Sequence, residues 1–250
     1  MLCPDQPLPG HVNPSFMTDQ SVFSRMPTVT DLARKRDPDA RPQQILEAAL
    51  EIFGEQGLAG ARLDDIARRA GIAKGTIYLY FDGKEALFRE VVRRTVVDRL
   101  ERAAAELADL PESDPVGALR TYLHAWWEFA STPAFQTVYR LVVGELHRYP
   151  DLAQFYATEV VQRSVAIVGG LLEYGIARGA IRPVDPVATT RMMASLVISQ
   201  ALWSASPIAA GLRAPHDDGR PHGPMLGGDS MREQVADFVL DALRPEHVPT

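Results

Sequence analysis

The stretch Arg62-Leu-Asp-Asp-Ile-Ala-Arg-Arg-Ala-Gly-Ile-Ala-Lys-Gly-Thr-Ile-Tyr-Leu-Tyr-Phe81 decides how this chain is read. Its apolar spacing predicts two short helices, over 64–70 and 74–81, joined by a tight turn at Gly71. A glycine can take the left-handed conformation that ends the first helix and redirects the chain. Ile66, Ile72, Ile77 and Phe81 form one apolar side, predicted to close over Ile45, Phe53 and Leu87 in a three-helix core. Lys74, Thr76, Tyr78 and Tyr80 are left on the other faces. A short helix carrying those donors and methyl groups has the chemistry that a DNA major groove receives. The competing reading is a helical hairpin that touches no nucleic acid.

Outward from this segment the pattern stays helical. Ile45, Ala49 and Phe53, with Leu46 and Leu50 beside them, follow an amphipathic stripe, with Pro42 in the first turn and Gly57 at the C-terminal cap. A long helix is predicted from Gly83 to about Leu107. Later helix starts show a capping side chain followed by proline at Asp114-Pro115, Thr132-Pro133 and Asp185-Pro186, and Asp151 after Pro150 marks another. Asp82 with Glu85, and Ser230 with Glu233, have capping-box spacing. No stretch alternates with a period of two. The expected fold is all-α with about nine helices, an N-terminal three-helix unit followed by an antiparallel helical domain.

The 250 residues, 46% hydrophobic, are ample for a packed core and exclude a wholly disordered chain. Residues 1–40, rich in proline, are expected to form a disordered arm, followed by domains at 41–100 and 101–245. Within the second, 206–228 holds four prolines and five glycines and is expected to be a mobile loop. The single cysteine, Cys3, excludes an internal disulfide. Apolar runs such as Ala194 to Leu202 are interrupted long before the roughly 18 residues of a membrane span. The first 25 residues also lack a basic, then apolar, leader pattern. A cytoplasmic protein without a membrane partner is expected.

Charge is unevenly spread. The chain carries 26 Lys and Arg against 32 Asp and Glu, a net charge of −6. Residues 1–33 contribute −2, 34–94 contribute +2 and 95–250 contribute −6. The only positive stretch holds the hairpin, and the Arg34-Lys35-Arg36 run before the first helix is either a DNA-reaching arm or a solvated tail.

The run Gly71-Ile-Ala-Lys-Gly-Thr-Ile-Tyr-Leu-Tyr-Phe-Asp-Gly-Lys-Glu-Ala-Leu87, with Asp65-Ile-Ala67 and the Ala48, Phe53, Gly57 pattern, resembles the recognition signature of the TetR family of transcriptional regulators. The resemblance covers about 41–94. It implies that Lys74 and Thr76 face bases or adjacent phosphates, that Tyr78 and Tyr80 brace the sugar-phosphate backbone, and that Lys84 pairs with a phosphate. A helix N-terminus beside an ammonium independently suits an anion. Gly75 removes a side chain where backbone must approach DNA. One position departs from the pattern: Arg62 stands where the family usually has Thr or Ser. Either Arg62 meets phosphate electrostatically, or Asp64 caps the helix further in.

Tyr139 to Tyr156 looks like the effector domain of the AefR-like subgroup. That implies a ligand cavity in the earlier helices and a dimer interface in the last long ones, here 152–178 and 186–204. Interface candidates are Gly169 and Gly170, small enough for close helix approach, and the adaptable apolar Met192, Met193 and Val197; packing within one subunit is the alternative. Cavity candidates are Tyr122, Trp126, Trp127, Tyr139 and Trp203, together with His124, Phe129, Phe135 and Tyr156. The same aromatics at helical spacing also suit solid core. Trp126 and Trp127 lie about 100° apart around a helix, so one at most faces a cavity squarely.

Catalytic motifs are missing from the sequence: no nucleophile elbow, phosphate loop or dinucleotide fingerprint occurs. No catalytic residue, cofactor or metal is expected. His124 and Glu128 have a metal-compatible spacing but want further ligands, and Glu145 and His147, two apart, diverge on a helix. Together these readings imply a homodimeric, ligand-responsive repressor whose partners are palindromic double-stranded operator DNA, a second copy of itself and a small, lipophilic effector.

Overall fold

The computed structural model describes residues 41–108, 114–207, 209 and 228–245. The expected disordered arm at 1–40, with Cys3 and the Arg34-Lys35-Arg36 run, and most of the expected loop at 206–228 lie outside the described residues. Nine helices are formed among those described, without a strand: α1 (Arg41–Gly60), α2 (Leu63–Arg69), α3 (Lys74–Ile77), α4 (84–108), α5 (Pro115–Ala130), α6 (Pro133–Glu145), α7 (Pro150–Ala177), α8 (Pro186–Ser204) and α9 (Gly228–Ala242). The all-α expectation holds.

The first three helices and the start of α4 share one core. Ile45, Phe53, Ile66, Ile77 and Leu87 are all fully buried, and Phe53 meets Phe88 edge-on at 5.8 Å between ring centroids. Ile72 and Phe81 pack against this core while remaining partly exposed. Helical geometry in α1 breaks at Gly57, with φ 73° and ψ 168°, so the end of that helix, residues 57–61, forms a separate turn leading to α2, closed by the Ala61 N–H donating to the Gly57 carbonyl at 3.1 Å. Gly71 takes φ 65° after α2. In both places the chain turns through a conformation that a Cβ disfavours.

Helix α4 continues without interruption across position 100, where a domain boundary was expected, and makes a π-helical turn at Arg93–Val97. Its C-terminal half packs on α5 and α7. Helices α5, α7, α8 and α9 pack against one another as the helical bundle, and α6 lies against both α5 and the π-turn of α4. Three capping prolines act as the sequence predicts: Asp114 accepts from the N–H of Gly117, Thr132 from Phe135 and Asp185 from Ala188. Each satisfies a first-turn donor that the helix itself leaves open.

The two capping boxes do not form. Gly83, at φ 122°, occupies the cap position before α4 in place of Asp82, and no side chain caps that end. Ser230 lies inside α9, where its hydroxyl accepts from Gln234, while Glu233 faces Arg120, Arg232 and His124. Tertiary ion pairing outcompetes the local cap. Among the described residues one helix, α7, is long and apolar enough by length and composition to cross a membrane. A search for uninterrupted apolar runs misses it because charged residues punctuate it. One of them, Arg163, ties α7 to α4 through Glu101 and pairs with Glu159 on its own helix.

Candidate nucleic-acid interface

The hairpin of α2 and α3 presents its expected residues outward. Tyr78 is 54% exposed and Tyr80 41%, while Ile77, just before them, is the buried anchor. Lys74 and Gly75 are exposed and Thr76 is half-buried. Leu79, to which the sequence reading assigned no role, is the most exposed large apolar side chain of the segment at 79%. This leucine lies just past the end of α3, on the side opposite the inward pair Ile77 and Phe81.

Lys74 is already engaged: its Nζ lies 2.9 Å from Asp64 Oδ2. That hydrogen bond, reinforced by the charge of Asp64, raises the ammonium above its ordinary range. Asp64 is thereby withdrawn from capping, and Arg62, in extended backbone at the cap position of α2, provides no side-chain cap either. The first turn of α2 instead rests on the Arg62 carbonyl, which accepts from the N–H groups of Asp65 and Ile66. Arg62 is exposed and forms no ion pair among the described residues.

Most other cations near the hairpin are occupied. Arg68 pairs with Asp65, and Arg69 bridges α2 to α1 by contacting both Glu51 and Glu55. The Glu55 hydrogen bond, then that of Glu51, hold the Arg69 guanidinium well above its ordinary range, and Arg69 in turn lowers Glu55. Lys84 donates from Nζ to the carbonyls of Ala59 and Ala61, both at 3.1 Å. Its ammonium therefore braces the turn between α1 and α2, keeping one N–H beyond these two bonds.

Gly75 meets nothing within 4 Å if a Cβ is added, and its φ is not positive. The fold itself gives no reason for a glycine there.

Away from the hairpin, two small, partly open pockets, each with about 10 Å³ of room, adjoin α5. One is lined by Tyr122, Trp126, Ser164, Val168, Thr190 and Met193 among others, the second by Arg99, Leu100, Ala103, Tyr122, Trp126 and Phe129. Among the described residues, the buried Tyr122 hydroxyl and the Trp126 Nε1 have no hydrogen-bond partner. Burial drives the Tyr122 phenol far above its ordinary range, and the nearby Arg99 charge opposes this only weakly. Of the expected cavity aromatics, Tyr122 and Trp126 line these spaces, whereas Trp127 is buried in the core, Tyr139 stacks on Phe135 and Trp203 is half exposed to solvent. The expected interface residues also divide. Met192 and Gly170 face outward, while Gly169, Met193 and Val197 are buried within the subunit.

His124 and Glu128 are drawn toward α9, with His124 Nε2 3.2 Å from Glu233 and Glu128 paired to Arg232 at 2.7 Å. Among the described residues no cluster of three metal-ligating side chains exists. Glu145, considered above only beside His147, reaches the turn between α1 and α2 instead, where it accepts from the N–H groups of Leu58 and Ala59. No sequence signal links positions 87 residues apart.

Residues 45–91 match the family model described as bacterial regulatory proteins, tetR family, and residues 110–214 match one described as tetracyclin repressor-like, C-terminal domain. An uncharacterized HTH-type transcriptional regulator, YhgD of Bacillus subtilis strain 168, is 30% identical over 165 residues, covering 64% of this chain and 81% of the relative. The HTH-type transcriptional regulator RutR of Escherichia coli K12 is 28% identical over 153 residues, covering 61% of this chain and 70% of the relative. In fold, the chain is similar to the regulator FadR from Bacillus subtilis, solved in complex with stearoyl-CoA, with a TM-score of 0.62 at 20% identity over 81% of this chain and 99% of that one. Signature, hairpin geometry and relatives agree, and the chain belongs to the TetR family of bacterial DNA-binding transcriptional regulators.

Proposed function

We propose that this regulator is a homodimeric repressor that binds a palindromic operator and is released from it by a small lipophilic effector, acting in the cytoplasm, with an effector domain of the AefR-like subgroup. The observation that carries the DNA reading is the outward placement of Lys74, Thr76, Tyr78 and Tyr80 around a buried Ile77. In this reading Arg62 and Lys84 contact phosphates, Lys74 and Thr76 reach bases or adjacent phosphates, and the two tyrosines brace the backbone. Lys74 exchanges Asp64 for DNA, a swap between two anions that costs little in water because the pair is exposed.

The domain reading, a DNA-binding part at 41–100 and an effector and dimerisation part at 101–245, rests on α4 as the shared helix. The cavities beside Tyr122 and Trp126 support an effector site. A ligand of drug size needs a pocket of roughly 300 to 1,000 Å³, whereas these spaces hold about 10 Å³ each. Occupation therefore requires α5 to part from α4, α7 or α8. A ligand that prefers the parted state weakens DNA binding, and DNA weakens the ligand by the same factor. Trp127 and Tyr139 belong to the walls around such an opened space, and Trp203 to its solvent side. For the dimer, α8 offers an outer face with Met192 and the small side chains of Ala188, Ser195 and Ser199 beside a surface groove. Gly170 supplies a close approach on α7, and the buried Gly169, Met193 and Val197 back that surface from within. Two recognition hairpins on one frame suit half-sites about one helical turn apart, roughly 34 to 36 Å.

The test is a gel shift with a duplex spanning the region upstream of the protein's own gene against a scrambled duplex of equal length. Preferential retardation of the upstream duplex is expected; equal affinity for both at physiological salt would refute sequence-specific regulation.

A further inference from the structure

The turn between α1 and α2 is held from two directions by groups far apart in sequence. Glu145, the last residue of α6, accepts from the Leu58 N–H at Oε1 and from the Ala59 N–H at Oε2, each at 2.9 Å. On the other side, Lys84 donates to the carbonyls of Ala59 and Ala61. The residue Ala59 is therefore gripped at both its N–H and its C=O. Both N–H groups become available because α1 breaks at Gly57, and a Cβ on Gly57 would collide with Glu145 Oε1. One turn earlier, a Cβ on Gly54 would press on Thr137 Cγ2 at 3.0 Å, so a second α6 side chain sits directly against the α1 backbone there. Two glycines on α1 and two polar side chains on α6 make one fitted contact.

We propose that Glu145 is a positioning residue for DNA recognition, which sets the orientation of the α2–α3 hairpin by locking the turn at residues 57–61 to α6. The proposal rests on the DNA reading above and adds to it a second route between the bundle and the hairpin, independent of the continuous helix α4. The turn leads directly into α2, two residues beyond the last held carbonyl, so its orientation is passed on through very little chain. A carboxylate accepting two successive N–H groups makes charge-assisted bonds, stronger and more directional than neutral ones. A movement of α6 against α1 beyond the reach of the Glu145 side chain breaks both together, and the hairpin then loses its fixed angle to the rest of the subunit.

The sign of the electrostatics makes the role testable. A carboxylate near DNA repels phosphate, so a residue acting by charge alone would bind DNA more tightly once neutralised. A positioning residue does the reverse. In the full chain, Glu145→Gln leaves one acceptor and turns an amide N–H toward an N–H. The expected result is an operator affinity about tenfold weaker, the size expected for losing one charge-assisted hydrogen bond, with affinity for the scrambled duplex not reduced and the salt slope unchanged. Amide exchange followed by NMR should accelerate at Leu58 and Ala59 but not at Ile52 or Phe53. Equal or tighter operator binding by E145Q overturns the proposal, as does fast exchange of the Leu58 and Ala59 amides in the wild-type protein, a measurement that stands even if the variant fails to fold. A wild-type protein that binds neither duplex overturns the DNA reading and the positioning role together; a wild-type protein that discriminates, alongside an E145Q that discriminates equally, overturns the positioning role alone.

Discussion

At the scale of single residues, Gly75 and Tyr122 are informative because the fold does not explain them. A glycine within a helical turn costs roughly 1 kcal/mol relative to alanine, and an added Cβ at Gly75 would meet nothing inside the protein. Gly75→Ala should therefore leave the melting temperature unchanged or raised, yet weaken operator binding because the methyl group stands between backbone and DNA. Unaltered affinity in a titration would remove Gly75 from the interface. Tyr122 poses the opposite question, since its buried hydroxyl lacks a partner among the described residues. An unsatisfied buried hydroxyl costs about 1 to 3 kcal/mol, so Tyr122→Phe should be neutral or stabilising in thermal melts while weakening any ligand that bonds to that hydroxyl. Clear destabilisation would show that the hydroxyl is satisfied. Burial raises the phenols of both Tyr122 and Tyr156. In the unfolded chain they ionise near about pH 10, while the folded protein keeps them protonated. The folded state then binds more protons, and stability falls as pH rises beyond that point. Ultraviolet titration should show tyrosines that ionise only on alkaline unfolding; smooth ionisation of all of them in the folded protein would contradict their burial.

At the scale of elements, the start of α4 carries two tasks on one side chain. Lys84 braces the turn before α2 and, in the proposed complex, also neutralises a phosphate. Lys84→Ala should weaken binding to every duplex and lower the salt slope by about one. An unchanged slope would leave the brace as its only task. That outcome separates Lys84 from Glu145, whose replacement leaves the slope alone. The elements also show which local signals survive folding. A capping residue followed by proline was legible at Asp114, Thr132 and Asp185 because both halves of the signal act within one turn. The capping-box spacing failed at Asp82 and at Ser230. In the first case Gly83 takes the cap position, and in the second Glu233 finds partners on other helices. A carboxylate with a cation in reach is not reserved for its own helix.

At the scale of the whole molecule, α8 leaves Met192 64% and Val187 51% exposed, while Met193, Val197 and Ala201 on the same helix are buried in the bundle. A second copy is the proposed cover for the exposed pair. Met192→Glu should shift the protein toward monomer in sedimentation and weaken operator binding with it. A wild-type chain that already sediments as a monomer would refute the dimer. The sparse charge fits the same picture. Arg68 and Arg69 are committed within the protein and Lys74 is already paired, so DNA affinity depends on a few placed contacts counted twice in a dimer.

The helical class, the turn at Gly71, the buried register of Ile66 and Ile77 and the outward placement of Lys74, Tyr78 and Tyr80 are all legible in the sequence. All of these follow from interactions within a few residues, where apolar period and backbone freedom suffice. Only the tertiary structure decided that Asp64 serves Lys74 and not a cap, that Trp126 and not Trp127 lines a cavity, that Met193 faces inward while Met192 does not, and that Glu145 grips a turn 87 residues away. Each of those depends on which helix comes to lie against which. That choice is made by the packing of complete faces, and no single residue announces its distant partner.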